Sequence, residues 1–310
     1  MNVSVLGPQR QTDTARATVA ELVPEGLVAT ISAGWREREG DAAELDDVLG
    51  GRMTNLRLWQ RWREVIDTDI DYAAAERRLR GRISEQQALY GLRLGYALDA
   101  VRAVERRPEA TGVRPSALDD AFGAVQRLDS WHLQAVAALR LEFYAETGLG
   151  ERPAVARHRA EVADLVADAA GWVVTGGHVG ALLQVLHVFD IGRLLRPPII
   201  AWSAGAMALS EYVILFNDHS AQDLPGPQAY AEGMGAIRGV LPFPHPARRL
   251  RLTDHDHLRR VARRFAPRRC LLLDPGVRVD LADGVPVGAP GRIIGDDGSV
   301  LELEAESSHG

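Results

Sequence analysis

The sequence predicts an α/β protein built on a mostly parallel sheet with helices on both faces, interrupted by a large all-helical insertion and closed by a C-terminal antiparallel edge. Three observations predict it. Short apolar and β-branched runs alternate with helical spacing at both ends of the chain, the middle third carries only three-and-four apolar spacing, and the last runs are short with Asp-Gly turns between them.

At the N-terminus, Val3 to Leu6 is a β-branched run ending at Gly7-Pro8, Thr14 to Leu22 has helical spacing, and Leu27 to Ile31 is strand-like before Ser32-Ala33-Gly34. The following stretch is rich in Ala, Leu, Arg and Glu, with breaks at Gly50-Gly51, Arg107-Pro108, Thr111-Gly112 and Gly148 to Pro153. Within it, Tyr72 to Arg106 and Ser116 to Thr147 are expected to form a long helical hairpin, with Ser116 as the N-cap of the second arm. Alternation then resumes. Gly171 to Thr175 reads as a buried strand leading through Gly176-Gly177 into an apolar helix over Val179 to Phe189, and Ile199 to Trp202 is a second such strand, followed by Ser203 and a small-residue helix, Ala204 to Leu209. Tyr212 to Phe216 is strand-like, residues 217–236 are loop-rich, a basic helix spans Leu258 to Phe265, and the apolar run Cys270 to Leu273 precedes turns at Asp283-Gly284 and Asp297-Gly298. The expected division is an α/β core of residues 1–36 and 170–303, a helical insertion of residues 37–169, and a frayed tail of residues 304–310.

Composition narrows the chemistry. The chain has 310 residues, 46% hydrophobic and 25% charged, the balance of an ordinary globular protein. A net charge of −6 argues against nucleic acid as a partner. All 36 basic residues are Arg, so chemistry that needs a primary amine, such as a Schiff-base lysine or the lysine of a phosphate-binding loop, is excluded. Cys270 is the single cysteine, which excludes an intrachain disulfide and any multi-thiolate metal site. No signal peptide and no long apolar run stand out, so a cytoplasmic protein without membrane association is expected.

The residues most informative about function are Ile199-Ile200-Ala201-Trp202-Ser203-Ala204-Gly205-Ala206. A nucleophile on a tight strand-to-helix turn needs small residues two before and two after it, here Ala201 and Gly205, so that strand and helix can approach. The turn would project the Ser203 hydroxyl over the sheet edge, with the Ala204 amide where an oxyanion develops. The same residues also suit a tight packing turn without chemistry. Gly176-Gly177 after the preceding strand can present a second amide donor or form an ordinary turn, and His178 after it can touch substrate. Asp254-His255-Asp256-His257 looks like a metal pair but reads as a helix cap, because alternate residues at a helix start point apart. His245, in the Pro-rich loop after an apolar strand, is the histidine placed as a general base.

Ser203 in S-A-G-A, the strand and glycine pair before it, and the G-x-G-x-x-x-G-x-L-P-x-x-H stretch from Gly233 to His245 resemble the aspartyl dipeptidase (dipeptidase E) and cyanophycinase group of serine peptidases. The resemblance covers residues 1–36 and 170–285 and leaves the helical middle unmatched. It implies a class I glutamine amidotransferase-like fold, Ser203 as nucleophile, His245 as base, Gly177 and Ala204 as oxyanion donors, and a small peptide substrate, with no metal or organic cofactor. It leaves two carboxylates, Asp218 and Asp274, as alternatives for orienting the histidine. The chain departs from the group's pattern at Ala201, where glycine is usual, and at His178, where Asn or Asp is usual. Gly176, His178 and Arg248 are the expected substrate contacts, Arg248 because a guanidinium grips a carboxylate at two points, although the Arg248, Arg249, Arg251 run also suits a solvated face. The alternative function is a non-catalytic binding or scaffolding protein whose insertion mediates interaction, as a lid or as a homodimer interface. An ordinary α/β-hydrolase esterase fits poorly, since too little chain follows the serine for its remaining strands.

Overall fold

A computed structural model describes residues 2–10, 12, 14–216, 226–283, 285–287 and 291–303. The chain order is β1 (Asn2–Leu6), α1 (Thr14–Leu22), β2 (Leu27–Ile31), α2 (Ala43–Val48), β3 (Met53–Asn55), α3 (Leu58–Thr68), α4 (Ile70–Glu105), α5 (Arg114–Thr147), α6 (Pro153–Val166), β4 (Ala169–Val174) and α7 (Val179–Val188). It continues with β5 (Ile199–Trp202), α8 (Ala204–Leu209), β6 (Tyr212–Phe216), β7 (Pro227–Glu232), β8 (Val240–Pro244), α9 (Pro246–Arg249), α10 (His255–Phe265), β9 (Arg269–Leu273), β10 (Arg278–Ala282), β11 (Val285–Val287), β12 (Gly291–Ile294) and β13 (Val300–Leu303).

The central sheet has the order β11-β10-β1-β5-β4-β2-β3. β1, β5, β4, β2 and β3 run parallel, and β10 and β11 form the antiparallel edge. Its strands are apolar on both faces because helices cover both. On one face Leu6, Val28, Val173, Ile200 and Trp202 pack against Ala15, Val19 and Leu45 of α1 and α2. On the other, Val5, Ile31, Val174, Ile199 and Ala201 pack with α3, α7 and α8. The alternation along each strand follows the two-residue pleat.

Three departures from the sequence expectation have local causes. Met53–Asn55, inside the stretch expected to be helical, is the parallel edge strand of the central sheet beside β2. Three residues are too few for a periodic signal. The strands β8 and β9 leave the central sheet and form a second one, ordered β13-β12-β9-β8, while β6 and β7 pair as a separate antiparallel ribbon. β7 lies in the region expected to be loop. Its sequence, Pro-Gln-Ala-Tyr-Ala-Glu, has weak strand propensity, and long-range bonds from α4 help hold it: the Ala229 amide donates to Tyr90 Oη at 3.1 Å, and Gln87 Nε2 donates to the Ala229 carbonyl at 3.4 Å.

The helical hairpin forms from α4 and α5, and its register is visible in the crossing pairs Arg78 to Glu146 at 2.5 Å and Arg82 to Glu142 at 2.8 Å. Asp69 caps α4 by accepting from the Tyr72 amide at 2.9 Å. The second arm starts earlier than Ser116, with Pro115 in its first turn, where the missing N–H costs nothing. A buried arginine fastens the hairpin to the C-terminal half. Arg264 is 4% exposed and grips Asp129 of α5 at two points, both 2.8 Å. It also donates to Tyr90 Oη at 2.9 Å and to the Pro227 carbonyl at 2.7 Å, and Tyr90 Oη in turn donates to Asp129 at 2.7 Å. Among the described residues no helix is long and apolar enough to cross a membrane.

Candidate active site

Ser203 occupies the turn between β5 and α8 with φ 50° and ψ −119°. A non-glycine residue in this region stores roughly 1–3 kcal/mol of strain, which persists only where the surroundings over-determine it. Here they do. A Cβ on Gly205 would lie 2.3 Å from the Val174 carbonyl oxygen and 2.7 Å from that of Thr175, so α8 can begin against the end of β4 only with glycine there. On the other side, a Cβ on Gly176 would lie 3.0 Å from Ser203 Cβ and 3.6 Å from Ser203 Oγ. Ser203 therefore sits directly against the glycine pair that follows β4.

The glycine pair is itself supported from β2. Gly177 has φ +120°, and a Cβ on it would collide with the Gly34 carbonyl at 2.4 Å, while the His178 amide donates to that carbonyl at 2.8 Å. The Gly177 amide donates to no carbonyl among the described residues. The Ala204 amide, first in α8, has no acceptor within its helix. These are the two amides expected from the sequence as oxyanion donors. Gly34 was absent from the sequence-based site; its signal was the Ser32-Ala33-Gly34 run at a strand end, which resembles Ser203-Ala204-Gly205.

His245 follows β8 in the left-handed region, φ 55° and ψ 47°, and Pro246 starts the short α9 behind it. A chain of contacts relates it to Ser203. Leu6 is the register partner of Trp202, and a Cβ on the next residue, Gly7, would overlap the Asp274 carbonyl. Asp274 follows Leu273, whose carbonyl accepts from the His245 amide at 3.3 Å. The carboxyl ends of β5, β1, β9 and β8 thus follow one another through these contacts, and Ser203, Asp274 and His245 are each the first residue after its strand. The Asp274 carboxylate accepts from Arg292 Nη1 at 2.7 Å. Asp218, the other expected carboxylate, lies outside the described residues.

Of the expected substrate contacts, Gly176 is buried against Ser203, and Arg248 lies exposed on α9. His178 acts as a helix cap, with its Nδ1 accepting from the Ala181 amide at 3.1 Å at the start of α7. That bond puts the neutral ring's proton on Nε2. Burial, then the nearby Arg36 charge, lowers its pKa. Asp254 accepts from the His257 amide at 2.9 Å, the helix-cap arrangement expected for that segment.

A groove of about 1130 Å³ runs along α4 between α3, α7 and β7. His178 and Gly180 line it, next to the glycine pair. The sequence reading missed it because its walls come from segments far apart in the chain. Arg36, also in its lining, has φ 58° and ψ −122°, nearly the conformation of Ser203.

No family model matches the chain, and no curated protein matches it. Among solved structures, a peptidase from an acI-B1 Actinobacterium aligns over 99% of this chain and 95% of its own, at 14% sequence identity and a TM-score of 0.48.

Proposed function

We propose that the protein is a serine hydrolase that cleaves short peptides through an acyl-enzyme, with acidic or isoaspartyl peptides as the first substrates to try. The single observation that carries the reading is the strained backbone of Ser203 at a strand-to-helix turn against two glycines. In this reading Ser203 Oγ attacks the scissile carbonyl carbon as His245 takes the hydroxyl proton, and the carbonyl oxygen becomes an anion held by the Gly177 and Ala204 amides. The C–N bond then breaks, and His245 returns the proton to the leaving amine. Water, deprotonated by the same ring, attacks the acyl ester and releases the acid and the free serine hydroxyl. A carboxylate, Asp218 or Asp274, orients the imidazole, and Arg248 is the expected contact for an acidic side chain. The reaction as written draws on no metal or organic cofactor.

The test is hydrolysis of a dipeptide library by the purified protein, the Ser203→Ala variant and the His245→Ala variant. Cleavage of a defined subset by the parent, lost in both variants, is expected. Equal cleavage by Ser203→Ala would remove the assignment.

A further inference from the structure

Glu76 is a buried carboxylate in the groove lining. It lies near the start of α4, is 1% exposed, and lines the groove. Arg80 Nη2 pairs with its Oε2 at 2.8 Å, and no further donor reaches that oxygen among the described residues. Burial raises the carboxyl's pKa despite the opposing charges of Arg80 and Arg77, so desolvation outweighs the compensation those guanidinium groups supply. Trp62, 4% exposed and also lining the groove, packs its indole beside Tyr72.

The surroundings of this carboxylate suit a cation. Trp59 and Trp62 stand with ring centroids 4.6 Å apart in the lining, and indole faces attract positive charge. The protein's own guanidinium groups already take such places: Arg36 lies 5.6 Å from the Trp59 centroid, and Arg80, 58% exposed, stands at Glu76. Arg140 is a further cation in the lining. The hairpin register set by Arg78 to Glu146 and Arg82 to Glu142 places it opposite Ser84. At 1.5 Å per residue that is about 12 Å along α4 from Glu76, too far to neutralise it. Beyond Arg80 the groove face of α4 carries Ile83, Ala88, Gly91 and Gly95, with Leu92 and Tyr96 exposed beside them, and is interrupted by the polar Ser84, Gln87 and Asp99.

We infer that the groove binds the amine end of a peptide with an apolar body, its ammonium replacing the Arg80 guanidinium on Glu76 beside the indoles of Trp59 and Trp62. The body lies along α4 toward His178 and Gly180. A volume of about 1130 Å³ suits an arm of several residues, since pockets of about 300–1,000 Å³ hold drug-sized ligands. That the other end of the peptide reaches Ser203 rests on the hydrolase reading; the binding itself does not.

Isothermal titration calorimetry on the full chain tests it with three probes that have no scissile bond: 4-phenylbutylamine, 4-phenylbutan-1-ol and 4-phenylbutanoate. The amine is expected to bind at least tenfold more tightly than the other two. Glu76→Gln should abolish that preference. Arg80→Ala, a change at an exposed side chain, should tighten amine binding about threefold or more by removing the competing cation. Equal binding of amine and alcohol, tighter binding of the carboxylate, no binding of any probe, or weaker amine binding by Arg80→Ala would each overturn the inference. If peptides are not cleaved while the amine preference holds, the hydrolase reading fails alone.

Discussion

Ser-Ala-Gly follows a buried parallel strand twice in this chain, as Ser32-Ala33-Gly34 after β2 and as Ser203-Ala204-Gly205 after β5, and the two copies fold differently. Ser32 has an ordinary backbone, φ −112° and ψ 16°, is fully buried, and has its Oγ 3.4 Å from Asn55 Oδ1. Ser203 is half-buried, strained, and followed by a helix. The glycines behave alike. Gly34 abuts the Gly176 carbonyl and Gly205 abuts those of Val174 and Thr175, so both clamp the end of β4, which lies between β2 and β5. The shared tripeptide thus encodes close backbone approach. A nucleophile candidate is distinguished by the strain and exposure of its serine, and these depend on the residues after the tripeptide. Ala206 to Leu209 continue as α8, whereas Trp35 and Arg36 turn away in a short irregular helix.

The largest effect should separate the serines in catalysis. Ser203→Ala is expected to lower peptide turnover by about 10⁴-fold or more, and Ser32→Ala to change it less than about threefold; comparable losses in steady-state assays would erase the distinction. Next come the glycines. Gly205→Ala and Gly34→Ala place a Cβ 2.3 Å and 2.6 Å from backbone oxygens, and each should destabilise the fold by roughly 1–3 kcal/mol or more in urea titrations. A neutral result at Gly205 would mean that α8 does not need its close approach. A smaller effect has opposite signs at the two serines. Ser203→Gly should raise stability by about 1 kcal/mol by releasing strain at positive φ, while Ser32→Gly should lower it by a similar amount through added backbone entropy. The smallest is Ser32→Ala itself, which removes one long hydrogen bond and should cost under about 1 kcal/mol.

Much of this was legible because the local rule and the global fold agree. Val3 to Leu6, Gly171 to Thr175 and Ile199 to Trp202 read as strands apolar on both sides, and they pair as the middle of a parallel sheet. The hairpin of α4 and α5 was equally plain from its apolar spacing. β7 was illegible because tertiary bonds to Tyr90 and Gln87 stand in for propensity, and the split into two sheets because nothing in Cys270 to Leu273 says which strand it will join. At the site, the serine and its glycines could be named from the spacing that close approach demands. Gly34, Glu76 and the capping bond of His178 could not, since each depends on a neighbour distant in sequence or on a ring's orientation.

The central claim is that Ser203, and no other hydroxyl, is held as a nucleophile. Labelling the full chain with a fluorophosphonate and mapping the adduct by peptide mass spectrometry tests it most directly. One adduct on the peptide that contains Ser203, absent from the Ser203→Ala variant, is the expected result. No adduct, or one on Ser32 or any other residue that persists in Ser203→Ala, would contradict it.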